Sequence, residues 1–208
     1  MKKLLAAMFA ALLMVGCGEE AQWEANPEPY GGLKILAEIK EAKESGSTEL
    51  ILWTGVNQIS DLSPLKGLTK LKLLKLDDNQ ISDLSPLKGL TDLKSLSLIN
   101  NKITDLSPLK GLTNLKELWL SDNEISDLSP LKGLTDLRVL VLTKNKISDL
   151  SPLKGLMNLK ELWLGGNPIP KDQFDMLIKA LPDGGISGLS SDYYSNGQKK
   201  SEFYYKDS

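Results

Sequence analysis

Histidine is absent from this 208-residue chain, and cysteine occurs once, at Cys17. With no imidazole and one thiol, Cys/His dyads, Ser/His/Asp triads and Cys/His zinc sites have nothing to be built from, and no disulfide closes within the chain. No cofactor is expected. An excess of cations is also missing. The formal net charge is −2, which argues against a nucleic-acid partner held by counterion release. The longest apolar run, Leu4 to Val15, has 12 residues, fewer than the roughly 20 that span a bilayer comfortably. What is present is a 41% hydrophobic and 25% charged composition, enough for one domain with a sizeable core plus short extras.

The N-terminus reads MKKLLAAMFAALLMVGC. Lys2 and Lys3 precede the apolar run, the shape of a secretory signal peptide over 1–16. The ending Leu13-Met14-Val15-Gly16-Cys17 resembles a bacterial lipobox, with Met14 where that family usually has Leu. The resemblance implies cleavage before Cys17, lipidation of its thiol, and a membrane partner held through the acyl chains. It places the chain in the bacterial cell envelope, and Gly18 after the cysteine resembles outer-membrane sorting in a Gram-negative bacterium. Without residues 1–16 the chain keeps 23 basic and 27 acidic side chains, so the lipid rather than a basic patch is expected to hold the membrane.

Residues 17–31 are acidic, carry Pro27 and Pro29, and read as a solvated tether. Over 32–46, Leu33, Leu36, Ile39 and Ala42 fall on one helical face, the expected N-terminal cap. From 47 to 170 a 22-residue unit recurs, starting at Leu71, Leu93, Leu115, Leu137 and Leu159, each reading L-x-x-L-x-L-x-x-N-x-I. A degenerate unit precedes them. At the same spacing it keeps Leu52, Asn57 and Ile59 but has Glu49 and Thr54 where leucines stand elsewhere, as terminal repeats do. Ser63-Pro64 and its copies look like an N-cap followed by proline at the first helical position, with Gly67 letting the chain turn back. Asp61, Asp83, Asp105, Asp127 and Asp149 form one charged column, and Lys66, Lys88, Lys110, Lys132 and Lys154 another. Both read as a solvated convex face, since one carboxylate per unit is too few oxygens for calcium.

This unit, with its I-S-D-L-S-P-L-x-G-L-T segment, resembles the internalin-type class of leucine-rich repeats. The resemblance implies an α/β repeat solenoid: a leucine-rich-repeat arc with a parallel sheet on the concave face, short 3₁₀ turns on the convex face and helical caps. It also implies an asparagine ladder of Asn57, Asn79, Asn101, Asn123, Asn145 and Asn167, each side chain bonding backbone where the chain leaves a strand, because a buried amide persists only when satisfied.

Positions three, five and seven of each strand alternate away from the core. They vary from unit to unit while the scaffold does not. Position five gives Trp53, Lys75, Ser97, Trp119, Val141 and Trp163. Two strand spacings put Trp119 and Trp163 about 10 Å apart, and Trp53 is placed about 14 Å from Trp119. Exposed tryptophans on a regular surface point to a binding patch for a protein segment or a stacking glycan. The candidate residues are Trp53, Lys75, Asp77, Ser97, Glu117, Trp119, Val141, Glu161 and Trp163. The leading expectation is a non-catalytic envelope lipoprotein that binds through this face. A structural lipoprotein without a specific ligand is the alternative. An enzyme is disfavoured, because Glu117 and Glu161 stand two strands apart, about 10 Å, beyond the usual separations of working carboxylate pairs.

Over 171–185, Phe174, Leu177, Ile178 and Leu181 share a helical face, the expected C-terminal cap. Residues 186–208 form a linker and an Asn196-Gly197 hairpin signal between aromatic runs. Tyr194-Ser195-Asn196-Gly197-Gln198-Lys199 through Tyr205-Lys206-Asp207 resembles one unit of the MORN-like, YwqK-type antitoxin repeat.

Overall fold

The computed structural model describes residues 19–52 and 59–181. Cys17, Trp53, Asn57 and the C-terminal hairpin motif lie outside the described residues. The elements run α1 (Glu19–Ala25), α2 (Leu33–Ser45), β1 (Glu49–Ile51), β2 (Leu73–Lys75), β3 (Ser95–Ser97), β4 (Glu117–Trp119), β5 (Val139–Val141), β6 (Glu161–Trp163) and α3 (Lys171–Ala180). The strands make one six-stranded parallel sheet in sequential order. A 3₁₀ turn precedes each strand after β1, from Ser63–Leu65 to Ser151–Gly155. The fold is therefore a leucine-rich-repeat arc with helices at its ends.

Each interior unit sends seven aliphatic side chains into one continuous core. For the unit after Leu71 these are Leu71, Leu74, Leu76, Ile81, Leu84, Leu87 and Leu90, all at most 1% exposed. Fully burying one such side chain contributes about 1.5–3 kcal/mol, and only stacked neighbours bury all seven.

The first unit departs from the expected spacing. β2 to β6 pair at 22 residues, Leu73 with Ser95 and so on. β1 pairs with β2 at 24: Glu49 with Leu73, Leu50 with Leu74 and Ile51 with Lys75. Leu50 and Leu52 are thus the inward pair, both buried. A spacing of 22 would have turned Leu52 and Thr54 inward. The two-residue slip keeps the in–out alternation, which has period two, and exchanges a threonine for a leucine in the core. Ile59 is back at 22, its carbonyl accepting from the amide of Gln80 as Ile81 accepts from Lys102.

The turns are held differently from the Ser-Pro reading. The N-cap residue is a leucine, Leu62 to Leu150, and the serine is the first residue of the turn with no capping bond of its own. The cap is the column of aspartates. The Oδ1 atoms of Asp61, Asp83, Asp105, Asp127 and Asp149 each accept the amide of the serine two residues on, at 2.8 Å. These carboxylates are turn-builders as well as solvated charges. Gly67 has φ 91, but among the described residues its counterparts Gly89 to Gly155 do not share a positive φ.

Both ends are covered. α2 buries Ile35, Leu36, Ile39 and Ala42, while Leu33 stands 59% exposed. Gly46, at φ 65, ends it, its amide reaching the carbonyl of Ala42 in the left-handed conformation glycine favours there. The stretch expected to be a solvated tether folds back on this cap. α1 forms, Trp23 meets Tyr30 at a 59° tilt with centroids 6.1 Å apart, and Tyr30 bridges Ile59 antiparallel. The carbonyl of Pro29 takes the amides of Ser60 and Asp61, so this segment satisfies backbone that an open end would leave to water. Gly31 permits the approach, since a Cβ there would lie 2.8 Å from Ile59 Cγ1. At the other end α3 buries Phe174 and Leu177, with Leu181 buried just past its end, but leaves Ile178 40% exposed. Gln173 Oε1 accepts the amide of Leu150 in the last turn.

Candidate binding face

Behind the concave sheet the asparagines fix its rim. Asn101 Oδ1 accepts the amide of Ile81 in the preceding unit at 3.0 Å, and its Nδ2 donates to the carbonyls of Leu76, Leu98 and Ile99. Asn79, Asn123, Asn145 and Asn167 repeat the arrangement on Ile59, Ile103, Ile125 and Ile147. Among the described residues no buried side-chain polar atom lacks a partner. The residue before each asparagine takes a left-handed backbone: Asp78, Asn100, Asp122 and Lys144 at φ 53 to 57, and Gly166 at φ 78. Side chains of this column bond across units, Asn100 to Asp78 and Lys144 to Asp122.

On this frame the position-five column runs Ile51, Lys75, Ser97, Trp119, Val141, Trp163. The place assigned to Trp53 belongs to Ile51, 54% exposed, because the first strand slips by two. Trp53 itself, and with it the 14 Å separation expected from Trp119, lies outside the described residues. Two further candidates are occupied internally. Ser97 is 3% exposed and its hydroxyl donates to Asp77, whose Oδ1 also accepts the amide of Ile99 at 2.9 Å. The carboxylate reaches across one strand spacing and is consumed by its neighbour. Likewise Thr143 donates to Ser121 at 2.7 Å.

Six candidates remain on the open face. Lys75, Glu161 and Trp163 are exposed, and Glu117, Trp119 and Val141 are half-buried. In the C-terminal three strands five of them, with Val139, form two adjacent rows, Trp119–Val141–Trp163 and Glu117–Val139–Glu161, in direct register. Val139, Leu73 and Ile51 complete the apolar surface. The alternation points all three outward, Ile51 at either spacing, and the register of β1 decides only that Ile51 heads the position-five row. Among the described residues no group of three or more His, Cys, Asp or Glu is arranged to hold a metal ion, and no helix is long and apolar enough to cross a membrane.

A family model described as leucine-rich repeats, two copies, matches residues 48–89, 91–133, 113–155 and 135–179. The chain belongs to the leucine-rich-repeat family. Among solved structures it is similar to an internalin (inlF) of Listeria monocytogenes, with 40% identity over 64% of this chain and 39% of that one and a TM-score of 0.60. Internalin C2 of the same organism gives 40% identity over 63% and 66% of the two chains, TM-score 0.54. A leucine-rich-repeat protein of Leptospira interrogans gives 32% identity over 75% and 39%, TM-score 0.64. The chain thus spans about 39% of two of these relatives and 66% of the third. No curated protein matches it. Over the part matched, its architecture is similar to that of internalin-type scaffolds.

Proposed function

We propose that this chain is a non-catalytic, lipid-anchored protein of the bacterial cell envelope that captures a protein segment on its concave sheet. The observation that supports the binding reading most is the Trp119–Val141–Trp163 row, two indoles and a valine in register on an open face. Trp163 is 39% exposed, and an indole held by a sheet brings contact area at little entropic cost. Glu117 and Glu161 flank the row and favour a segment carrying cations beside its apolar anchors. The anchor reading rests on Cys17 at the end of its apolar run.

A pull-down from envelope extract with the parent chain and with Trp119→Ala tests the surface. The variant keeps its melting temperature and loses about tenfold or more in capture; equal capture refutes the surface. Labelled palmitate enters the parent and not Cys17→Ser. Label that persists in the variant removes the anchor from the proposal.

A further inference from the structure

The net charge of −2 conceals a division between the two flanks of the arc. The residue before each strand is basic in five consecutive units: Lys72, Lys94, Lys116, Arg138 and Lys160. Four are exposed and Lys116 is half-buried. Their backbones stack directly, the amide of Lys94 on the carbonyl of Lys72 and onward to Lys160 on Arg138. The lysine column from Lys66 to Lys154, exposed throughout, ends the 3₁₀ turn just before the chain returns to the strand. The returning segment therefore carries one cation column at each border, and Asp92 and Asp136 are the acids between them. Where the chain leaves the strands the balance reverses. Asp78, Asp105, Glu124 and Asp127 stand there, and Lys144 and Lys146 are ion-paired to Asp122 and Glu124. Lys72, Lys94, Lys116 and Arg138 form no ion pair with a described residue.

We infer that this basic flank is a docking surface for the phosphate headgroups of an anionic lipid bilayer. Repetition at the strand spacing of about 4.8 Å makes the row beside the strands roughly 19 Å long, and the turn lysines repeat alongside it once per unit. Two rows side by side make a two-dimensional array of cations, and its complement is a two-dimensional array of anions. A single linear polyanion would engage one row. Like charges stacked a strand apart repel, and apposed phosphates relieve that repulsion. Juxtamembrane cations of this kind each raise membrane affinity roughly fivefold. The flank lies between the concave and convex faces, so a bilayer against it leaves the tryptophan row open from the side. The inference is independent of the ligand reading and of Cys17.

The experiment is partition of the full chain between buffer and vesicles of phosphatidylglycerol with phosphatidylcholine, against vesicles of phosphatidylcholine alone. The apolar N-terminal run enters both, so the ratio reads charge. Lys94→Glu, Lys116→Glu and Arg138→Glu together lower that ratio about a hundredfold and flatten its salt dependence. Lys102→Glu, Lys144→Glu and Lys146→Glu make the same charge change on the opposite flank and leave the ratio within about threefold. If the first triple variant does not fold, judged by circular dichroism, Gln at the same three positions still lowers the ratio. An unchanged ratio overturns the inference, and so does an equal fall in both triples, which would reduce the effect to net charge. Soluble polyphosphate that binds the parent while the vesicle ratio stays near one overturns the bilayer as the occupant.

Discussion

The first repeat unit and the interior units reach the same cross-section by different spacings. Interior strands stack at 22 residues and β1 stacks on β2 at 24. Both arrangements turn two leucines inward, and both place an isoleucine, Ile59 or its counterparts, on the next asparagine. The inward leucines and the asparagine contact are therefore the fixed points, and the first unit has two more residues between Leu52 and Ile59 than an interior unit has between Leu76 and Ile81. An interior unit is packed on both sides by its own kind. The first is packed by β2 on one side and by α2 on the other, and Leu50 retains 7% exposure where Leu118 has none.

The sharpest way to break this comparison is to remove the equivalent leucine at both places. Leu118→Ala should destabilise by about 3–5 kcal/mol, since close-packed units on either side cannot collapse into the cavity. Leu50→Ala should lose about 2 kcal/mol, because a terminal strand relaxes more freely. Urea unfolding measures both, and equal losses would mean that the first unit is packed as rigidly as the interior. Asn123→Ala comes next. It strands the amide of Ile103 and the carbonyls of Leu98, Leu120 and Ser121, which the side chain now bonds at 2.9 to 3.2 Å. A loss of about 2–3 kcal/mol is expected from leaving such groups unpaired, in the same titration.

How much of this was legible follows from the same contrast. The sheet, its inward leucines and the turn positions repeat so regularly from Leu71 to Ile169 that the period alone assigns them. The register of β1 did not follow. Spacings of 22 and 24 both preserve the alternation, and Asn57 and Ile59 favoured the former. Choosing between them required comparing Thr54 with Leu50 as a core residue. The aspartate cap was hidden because D-x-S-P offers two side chains able to satisfy the turn, and the serine directly before the proline has the spacing of an N-cap. On the binding face, Trp119, Val141 and Trp163 were readable from alternation. Withdrawal of Ser97 and Asp77 was not, since it arises from a bond between side chains 20 residues apart. The fold back of residues 19–31 onto the cap was masked by a composition that reads as solvated chain.

The left-handed column sharpens the comparison at the opposite end. The last unit uses Gly166 where interior units force Asp, Asn and Lys to positive φ. Gly166→Ala should destabilise by about 1–2 kcal/mol, because its Cβ would also stand 3.2 Å from the backbone of Lys144. Lys144→Asn should stabilise by about 0.5 kcal/mol, as asparagine tolerates this backbone better and Asn100 already bonds Asp78 from the same place at 2.8 Å. Thermal melts resolve both signs. A neutral Gly166→Ala would show that the last unit relaxes around the added methyl group.

The smallest effect is acid sensitivity of the interior turns. The hydroxyl and then the amide of Ser107 hold the Asp105 carboxyl below its ordinary value of 3.8, and Ser129 does the same for Asp127. A carboxylate held lower in the folded state binds fewer protons there than in the unfolded chain. Its contribution is therefore complete above the ordinary value and is lost as pH falls through the lowered one. Both groups stand in solvent, so each is worth on the order of a few tenths of a kcal/mol. Ser107→Ala with Ser129→Ala removes the larger cause and leaves the amide bonds. The double variant should lose slightly less stability between pH 5 and pH 2 than the parent, in parallel urea titrations at about six pH values. A steeper acid limb in the variant would reverse the direction assigned to the serine hydroxyls.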